Sequence, residues 1–233
     1  QRHGIDGVYV PLAVAPENFA TAFRALPALG FRGINLTLPH KEAALAACDE
    51  VDPQARRIGA VNTVVVDDRG RLVGSNTDAF GFIENLRRAS AWNAKSVPAV
   101  VLGAGGAARA IIVALLDAGV PELRLVNRTR GRADALAAEF GRAVTVIDWE
   151  KRGGALDDAA LLANTTTLGM QGHPPLVLDL ARLPGDAVVN DIVYTPLQTP
   201  LLLDAAARGN PTVDGLGMLL HQAQPGFEKW FGV

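Results

Sequence analysis

The chain has 233 residues, 49% of them hydrophobic, which suits one large or two small domains with ample core. Lys and Arg number 22 against 24 Asp and Glu, and the formal net charge of −2 argues against nucleic acid or an anionic membrane as main partner. The single cysteine, Cys48, excludes an internal disulfide and fits a reducing, cytoplasmic setting, and no apolar run reaches membrane-spanning length.

In chain order, residues 7–12 read as a strand and 16–26 as a helix opened by Pro16. Residues 33–38 read as a further strand, running into a helix whose first residue is Pro39. Cys48 closes the alanine-rich helical run 42–48, where a buried structural thiol is expected. A short helix over 53–58 leads to a strand over 60–66. Asp67-Asp68-Arg69-Gly70 then folds the chain back into 71–74, a hairpin signature. A long helix over 78–89 ends this half, with 90–96 as the link onward. The second half alternates strands (97–102, 123–126, 143–147, 161–163, 187–191 and 212–213) with helices, the pattern of a parallel sheet. The closing helix, 215–230, is long enough to pack back across a cleft between the halves.

The densest information lies where the apolar run Pro98–Leu102 meets Gly103-Ala104-Gly105-Gly106-Ala107-Ala108. Strand, glycine-rich turn and helix is the context a dinucleotide requires. Gly103 permits the tight turn, Gly105 lets backbone approach a pyrophosphate, and Ala108 takes the small position where helix meets sheet. Helix N-terminal N–H groups then face the phosphates. An NAD site places an acid at the end of the second strand, but here that place holds Asn127-Arg128-Thr129-Arg130-Gly131-Arg132. Thr129 suits an N-cap, and the three arginines around the helix start read as a clamp for a 2′-phosphate, with a solvated basic face as the plainer alternative.

Two polar groups in the first half are not needed for folding. Asn35 and Thr37 alternate with apolar residues and share a strand face that points to Lys41, a cation in the first turn of a helix, where the dipole opposes it. His40 reads as a loop histidine. The second group is Asn62-Thr63 with Ser75-Asn76-Thr77-Asp78, at connected ends of the hairpin. Asp78 has equal or better caps beside it, so capping does not account for it.

Asn35-Leu36-Thr37-Leu38-Pro39-His40-Lys41-Glu42, Gly59-Ala60-Val61-Asn62-Thr63 and Asn76-Thr77-Asp78 resemble signature blocks of the shikimate dehydrogenase family. So do Gly103–Ala107, Asn127-Arg128-Thr129, Asn164-Thr165-Thr166-Thr167-Leu168-Gly169-Met170 and Asp214-Gly215-Leu216-Gly217-Met218-Leu219-Leu220, in family order along nearly the whole chain. The resemblance implies NADPH-dependent reduction of 3-dehydroshikimate to shikimate, in aromatic amino-acid biosynthesis. It makes Lys41 and Asp78 the catalytic pair. Asn62, Asp78 and Gln222 then bond the ring hydroxyls, and Thr37 and Tyr194 line the same pocket. Gly103, Ala104, Gly105, Gly106 and Ala107 hold NADP together with Asn127, Arg128, Thr129 and Arg132. Thr165, Thr166, Met170, Gly215 and Met218 pass near the nicotinamide.

The resulting expectation is an α/β fold of two domains. One is an α/β substrate domain with a mixed sheet (1–79 plus 214–233), and the other a Rossmann-like doubly wound NADP domain (80–213). Family members begin with a strand carrying a Ser-x-Ser/Thr carboxylate-binding motif, and this sequence opens after that unit and stops short of the usual C-terminal helix. The expected partner is a small molecule, on a monomer or homodimer, with no metal. An NAD-dependent quinate/shikimate dehydrogenase and a catalytically impaired metabolite-binding paralogue are the alternatives; a methylene-tetrahydrofolate dehydrogenase is a more distant one.

Overall fold

The computed structural model describes residues 4–94 and 97–233. The chain forms two compact units: one runs up to Thr77 and resumes at Ala223–Val233, the other is Asp78–Gln222. The link expected at 90–96 includes Lys95 and Ser96, which lie outside the described residues.

The first unit contains α1 (Phe19–Ala25), β1 (Gly33–Asn35), α2 (Lys41–Ala47), β2 (Glu50–Val51), α3 (Pro53–Ile58), β3 (Thr63–Val66) and β4 (Leu72–Ser75). Its sheet runs β1-β3-β4-β2, antiparallel at β1/β3 and β3/β4 and parallel at β2/β4, and is therefore mixed. Phe19, Phe23, Leu36, Ala44, Val64 and Leu72 form the heart of its core. The hairpin turn is built by Asp67, whose carboxylate accepts from the N–H groups of Arg69 (2.9 Å) and Arg71 (2.8 Å). Those donors hold its carboxyl below the usual carboxylate range. α3 starts on Asp52, which accepts from Ala55 N, and stops at Gly59, left-handed at φ 76°.

The end of the last helix, α8 (Gly215–Phe231), belongs to this unit. Trp230 Nε1 donates to Val64 O at 2.9 Å, and its ring lies where a side chain on Gly33 would stand. Residues 7–12 are not a strand, contrary to the sequence expectation: all six are exposed, Val8 by 89% and Tyr9 by 75%. Apolar alternation makes a strand only where a neighbouring edge takes its N–H and C=O groups, and no strand of the described residues pairs with this segment. Pro39 also precedes α2 rather than opening it, so Lys41 is the first helical residue.

The second unit opens with α4 (Asp78–Ala89) and continues as β5 (Ala99–Leu102), α5 (Gly106–Asp117), β6 (Leu123–Val126), α6 (Arg130–Phe140), β7 (Val144–Ile147), β8 (Leu161–Asn164), β9 (Val188–Asp191), α7 (Pro200–Ala207) and β10 (Thr212–Val213). All pairs in its six-stranded sheet are parallel, in the order β10-β9-β8-β5-β6-β7. The chain winds outward from β5 to β7, then restarts at β8 on the opposite side of β5. That reversal puts a switch point between β5 and β8, where doubly wound sheets bind ligands beyond the strand C-termini. Every residue of β5, β8 and β9 is buried, as a sheet covered on both faces requires.

The first half of α8 packs on α4 through glycines. A Cβ on Gly81 would stand 2.7 Å from Met218 O and 2.7 Å from Gln222 Cβ, and one on Gly217 would collide with Asn85. Asn85 Nδ2 uses that closeness to donate to Asp214 O at 2.7 Å.

Candidate functional site

At the switch point, Gly103 N donates to Val126 O (2.8 Å) and the residue turns at φ 110°, a value that favours glycine. A Cβ there would meet Thr165 Oγ1 at 2.5 Å. Thr165 in turn donates its hydroxyl to Leu102 O at 2.6 Å, so the loops after β5 and β8 are fastened together. Gly105 is the opposite case, with open space where its side chain would be. It precedes Gly106, the first residue of α5, so the free N–H groups of that helix face the open side of the loop. Ala104 and Ala108 are buried beside it. Gly103 to Ala107 thus form a tight turn that leads into the N-terminus of α5 with open space beside Gly105.

The next loop divides the arginines. Arg130, exposed like its neighbours, is ion-paired to Asp134 (3.1 Å) and to Asp148. Arg128 and Arg132 are exposed on the same short segment. Thr129 is the N-cap of α6 but makes no side-chain capping bond. Asn127 shapes the turn instead, donating Nδ2 to Thr129 O at 2.8 Å. The segment that follows β6, residues 127–132, holds arginines where NAD sites hold an acid, which fits a cofactor with an extra phosphate on its ribose.

The loop after β8 rests on a buried polar chain that the sequence reading passes over. Asn164 and Asp191 end adjacent strands in register and are both fully buried. Asn164 Nδ2 donates to Asp191 Oδ1 (3.0 Å) and to Leu168 O (3.2 Å). Its Oδ1 accepts from Thr166 N (3.1 Å) and Thr166 Oγ1 (2.7 Å). Asp191 also accepts from Val193 N (3.0 Å) and Thr199 Oγ1 (2.8 Å). Burial pushes the Asp191 carboxyl above the usual carboxylate range, against the pull of these donors. The available signal is a polar residue closing each of two apolar strands. Met170 follows this loop, half-buried, and Tyr194 stands 48% exposed after β9. Gly215 lies against Ile192 O, and Met218 is buried one turn on.

In the first unit, the backbone brings Lys41 and Asn62 together: Val61 N donates to Lys41 O (2.8 Å), and Leu36 N to Asn62 O (2.8 Å). Thr37 starts the turn into α2 and is exposed. Asn62 is 2% exposed and braces Thr77 twice, accepting from Thr77 N (2.8 Å) and donating Nδ2 to Thr77 Oγ1 (3.0 Å). Thr77 is thus occupied by Asn62, and Asp78 follows it as the buried first residue of α4. One turn further, Gly81 touches Gln222, so Asp78 and Gln222 approach the same helix crossing. His40 is a packing residue, stacked on Phe19 with Nε2 2.9 Å from Val14 O. Cys48 lies against Gly74, and burial raises its thiol to about 11, so it is no nucleophile.

A parallel sheet with its switch point, a glycine-rich turn at β5 and a basic segment in place of an acid after β6 define a dinucleotide-binding α/β protein. Two family models match the chain: a shikimate dehydrogenase substrate binding domain over residues 1–64, and a shikimate / quinate 5-dehydrogenase over residues 85–167. The chain belongs to the shikimate dehydrogenase family. The NADP(+) shikimate dehydrogenase of Paramagnetospirillum magneticum is 63% identical over 100% of this chain and 84% of its own. The shikimate 5-dehydrogenase of Thermus thermophilus, solved with NADP(H) and shikimate, is 42% identical with a TM-score of 0.87, over 100% of this chain and 85% of that one. The quinate dehydrogenase of Corynebacterium glutamicum, solved with NAD, is 38% identical with a TM-score of 0.86, over 96% of this chain and 80% of that one.

Proposed function

We propose that the protein is an NADP-dependent oxidoreductase interconverting 3-dehydroshikimate and shikimate, in the pathway to chorismate and the aromatic amino acids. The carrying observation is the glycine-rich turn at the switch point, with a basic segment that lacks the acid of NAD sites. NADP(H), when bound, supplies or accepts the hydride. Gly103, Ala104, Gly105, Gly106 and Ala107 are assigned to its pyrophosphate, and Asn127, Arg128, Thr129 and Arg132 to the adenosine 2′-phosphate. Thr165, Thr166, Met170, Gly215 and Met218 are assigned to the nicotinamide end. NADP recognition is given to 80–213, joined by Gly215 and Met218 at the start of α8, and substrate recognition to 1–79 plus 214–233, joined by Tyr194 from the loop after β9.

Thr37, Asn62, Asp78, Tyr194 and Gln222 are assigned to the substrate. A polyhydroxylated ring calls for such groups, because buried donors and acceptors reject analogues that lack a hydroxyl. During reduction the ring carbonyl oxygen gains negative charge. Lys41 is assigned to neutralise that charge and give the oxygen a proton, and Asp78, its partner in the proposed catalytic pair, to accept from a ring hydroxyl. No described helix is long and apolar enough to cross a membrane, and we place the enzyme in the cytoplasm as a monomer or homodimer.

The double variant Arg128→Ala, Arg132→Ala tests the cofactor assignment. Each charge-assisted bond to a phosphate contributes about 1.5–3 kcal/mol, so the KM for NADP should rise at least about a hundredfold while the weak NAD reaction changes little. Equal losses with both cofactors would refute it.

A further inference from the structure

We propose that Asp191 is the positioning residue for the nicotinamide end of the site, acting through Asn164 on the loop that carries Thr165, Thr166 and Met170. The assignment rests on the NADP reading above. Asp191 Oδ1 takes Asn164 Nδ2 and Val193 N, and Oδ2 takes the Thr199 hydroxyl. Two N–H groups and a hydroxyl converge on it, a set that the carboxylate satisfies in full, and bonds to an ionised acceptor are the stronger kind. Each donor leads somewhere useful. Asn164 grips Thr166 and Leu168, in the loop after β8. Val193 is the second residue of the loop after β9, in which Thr195 O accepts from Gln171 N at 2.8 Å. Thr199 caps α7 and lies 3.6 Å from the Cβ position of Gly169. Ile192 and Val193 carbonyls in turn wall Gly215, where α8 begins. One carboxylate thus joins the two loops at the C-terminal ends of β8 and β9 and, through them, the start of α8.

Such a group is a poor choice for stability alone. Taking a carboxylate out of water is costly, and burial has raised this one above its usual range. A raised folded-state value means the ionised form is penalised at neutral pH, by a cost that a neutral isostere does not carry. Asp191→Asn keeps the acceptor for Asn164 and Val193, and its amide can donate to Thr199 Oγ1. The fold should therefore survive the change while the loops lose their tightest anchor.

The test uses three readouts on the purified protein: thermal midpoint, affinity for adenosine 2′,5′-bisphosphate against NADP+, and turnover of shikimate. Asp191→Asn should keep or raise the midpoint and bind adenosine 2′,5′-bisphosphate within about twofold of wild type. NADP+ should bind about tenfold more weakly and kcat should fall about 10²-fold, the size expected when reacting groups are misplaced by an ångström. Thr199→Ser, which retains the hydroxyl donor and loses a buried methyl, should lower the midpoint slightly and leave both affinities and turnover unchanged. A protein that unfolds or loses much of its thermal midpoint would make Asp191 a structural residue and overturn the assignment. So would unaltered NADP+ affinity and turnover. Failure of the wild type itself to bind NADP+ would instead remove the NADP reading on which the inference stands.

Discussion

Asp78 and Lys41 show how far a single side chain can be read. Asp78 stands apart in the sequence because its neighbours could cap a helix as well as it could, and the structure uses those neighbours differently. Thr77 is held by Asn62, and Asn76 Nδ2 donates to Ala60 O at 2.9 Å, which leaves Asp78 as a buried acid that begins α4. Lys41 opens α2 with its carbonyl bonded to Val61, one residue before Asn62. Loss of a general acid or base costs about 10²–10⁴ in rate, so Lys41→Ala should lower kcat by that order with little change in the KM for shikimate. Asp78→Asn should harm kcat and KM together, because Asp78 is also assigned to a ring hydroxyl. Steady-state kinetics decide, and a Lys41→Ala enzyme of near-normal turnover would return that lysine to the protein surface. What the sequence hides at this scale is partners rather than residue types. Arg130 looks like its neighbours until Asp148, eighteen positions away, proves to hold it. The Asn164–Asp191 pair is a contact between strands, invisible until the strand order is known.

Elements are legible wherever local chemistry decides them. α3 and α4 keep their expected limits because Asp52, Pro53 and Gly59 bound one and a clean amphipathic run the other. The segment 7–12 departs from expectation because nothing local supplies a strand's second edge, and β1 is shorter than the run 33–38 because Thr37 already starts the turn into α2, accepting from His40 N. The α4–α8 crossing is set by glycines whose meaning appears only in three dimensions. A methyl group on Gly81 must push against Met218 O, which is backbone and cannot swing aside. Gly81→Ala should therefore cost about 1–3 kcal/mol, as overpacking does, despite alanine's better helix propensity. Thermal or urea denaturation measures it, and an unchanged or raised midpoint would show that the two helices can separate at no cost.

For the molecule as a whole, the alternation of strands and helices announces a parallel sheet, but not which strands are neighbours. Strand order comes from crossovers, and crossovers place β8 beside β5 although β6 and β7 lie between them in sequence. That order puts Gly103 and Thr165 in contact at the switch point and gives the glycine motif its chemistry. The cofactor loop is legible because its residue types are dictated by backbone geometry. The residues proposed for the substrate rest on resemblance, since amides and hydroxyls at strand ends have many other uses. The most direct test is the initial rate of shikimate oxidation by the purified protein with NADP+ and with NAD+, followed through the reduced nicotinamide. Turnover should occur, with kcat/KM for NADP+ above that for NAD+ by about a hundredfold or more, the difference that two charge-assisted phosphate contacts supply. No turnover with either cofactor, or a preference for NAD+, would contradict it.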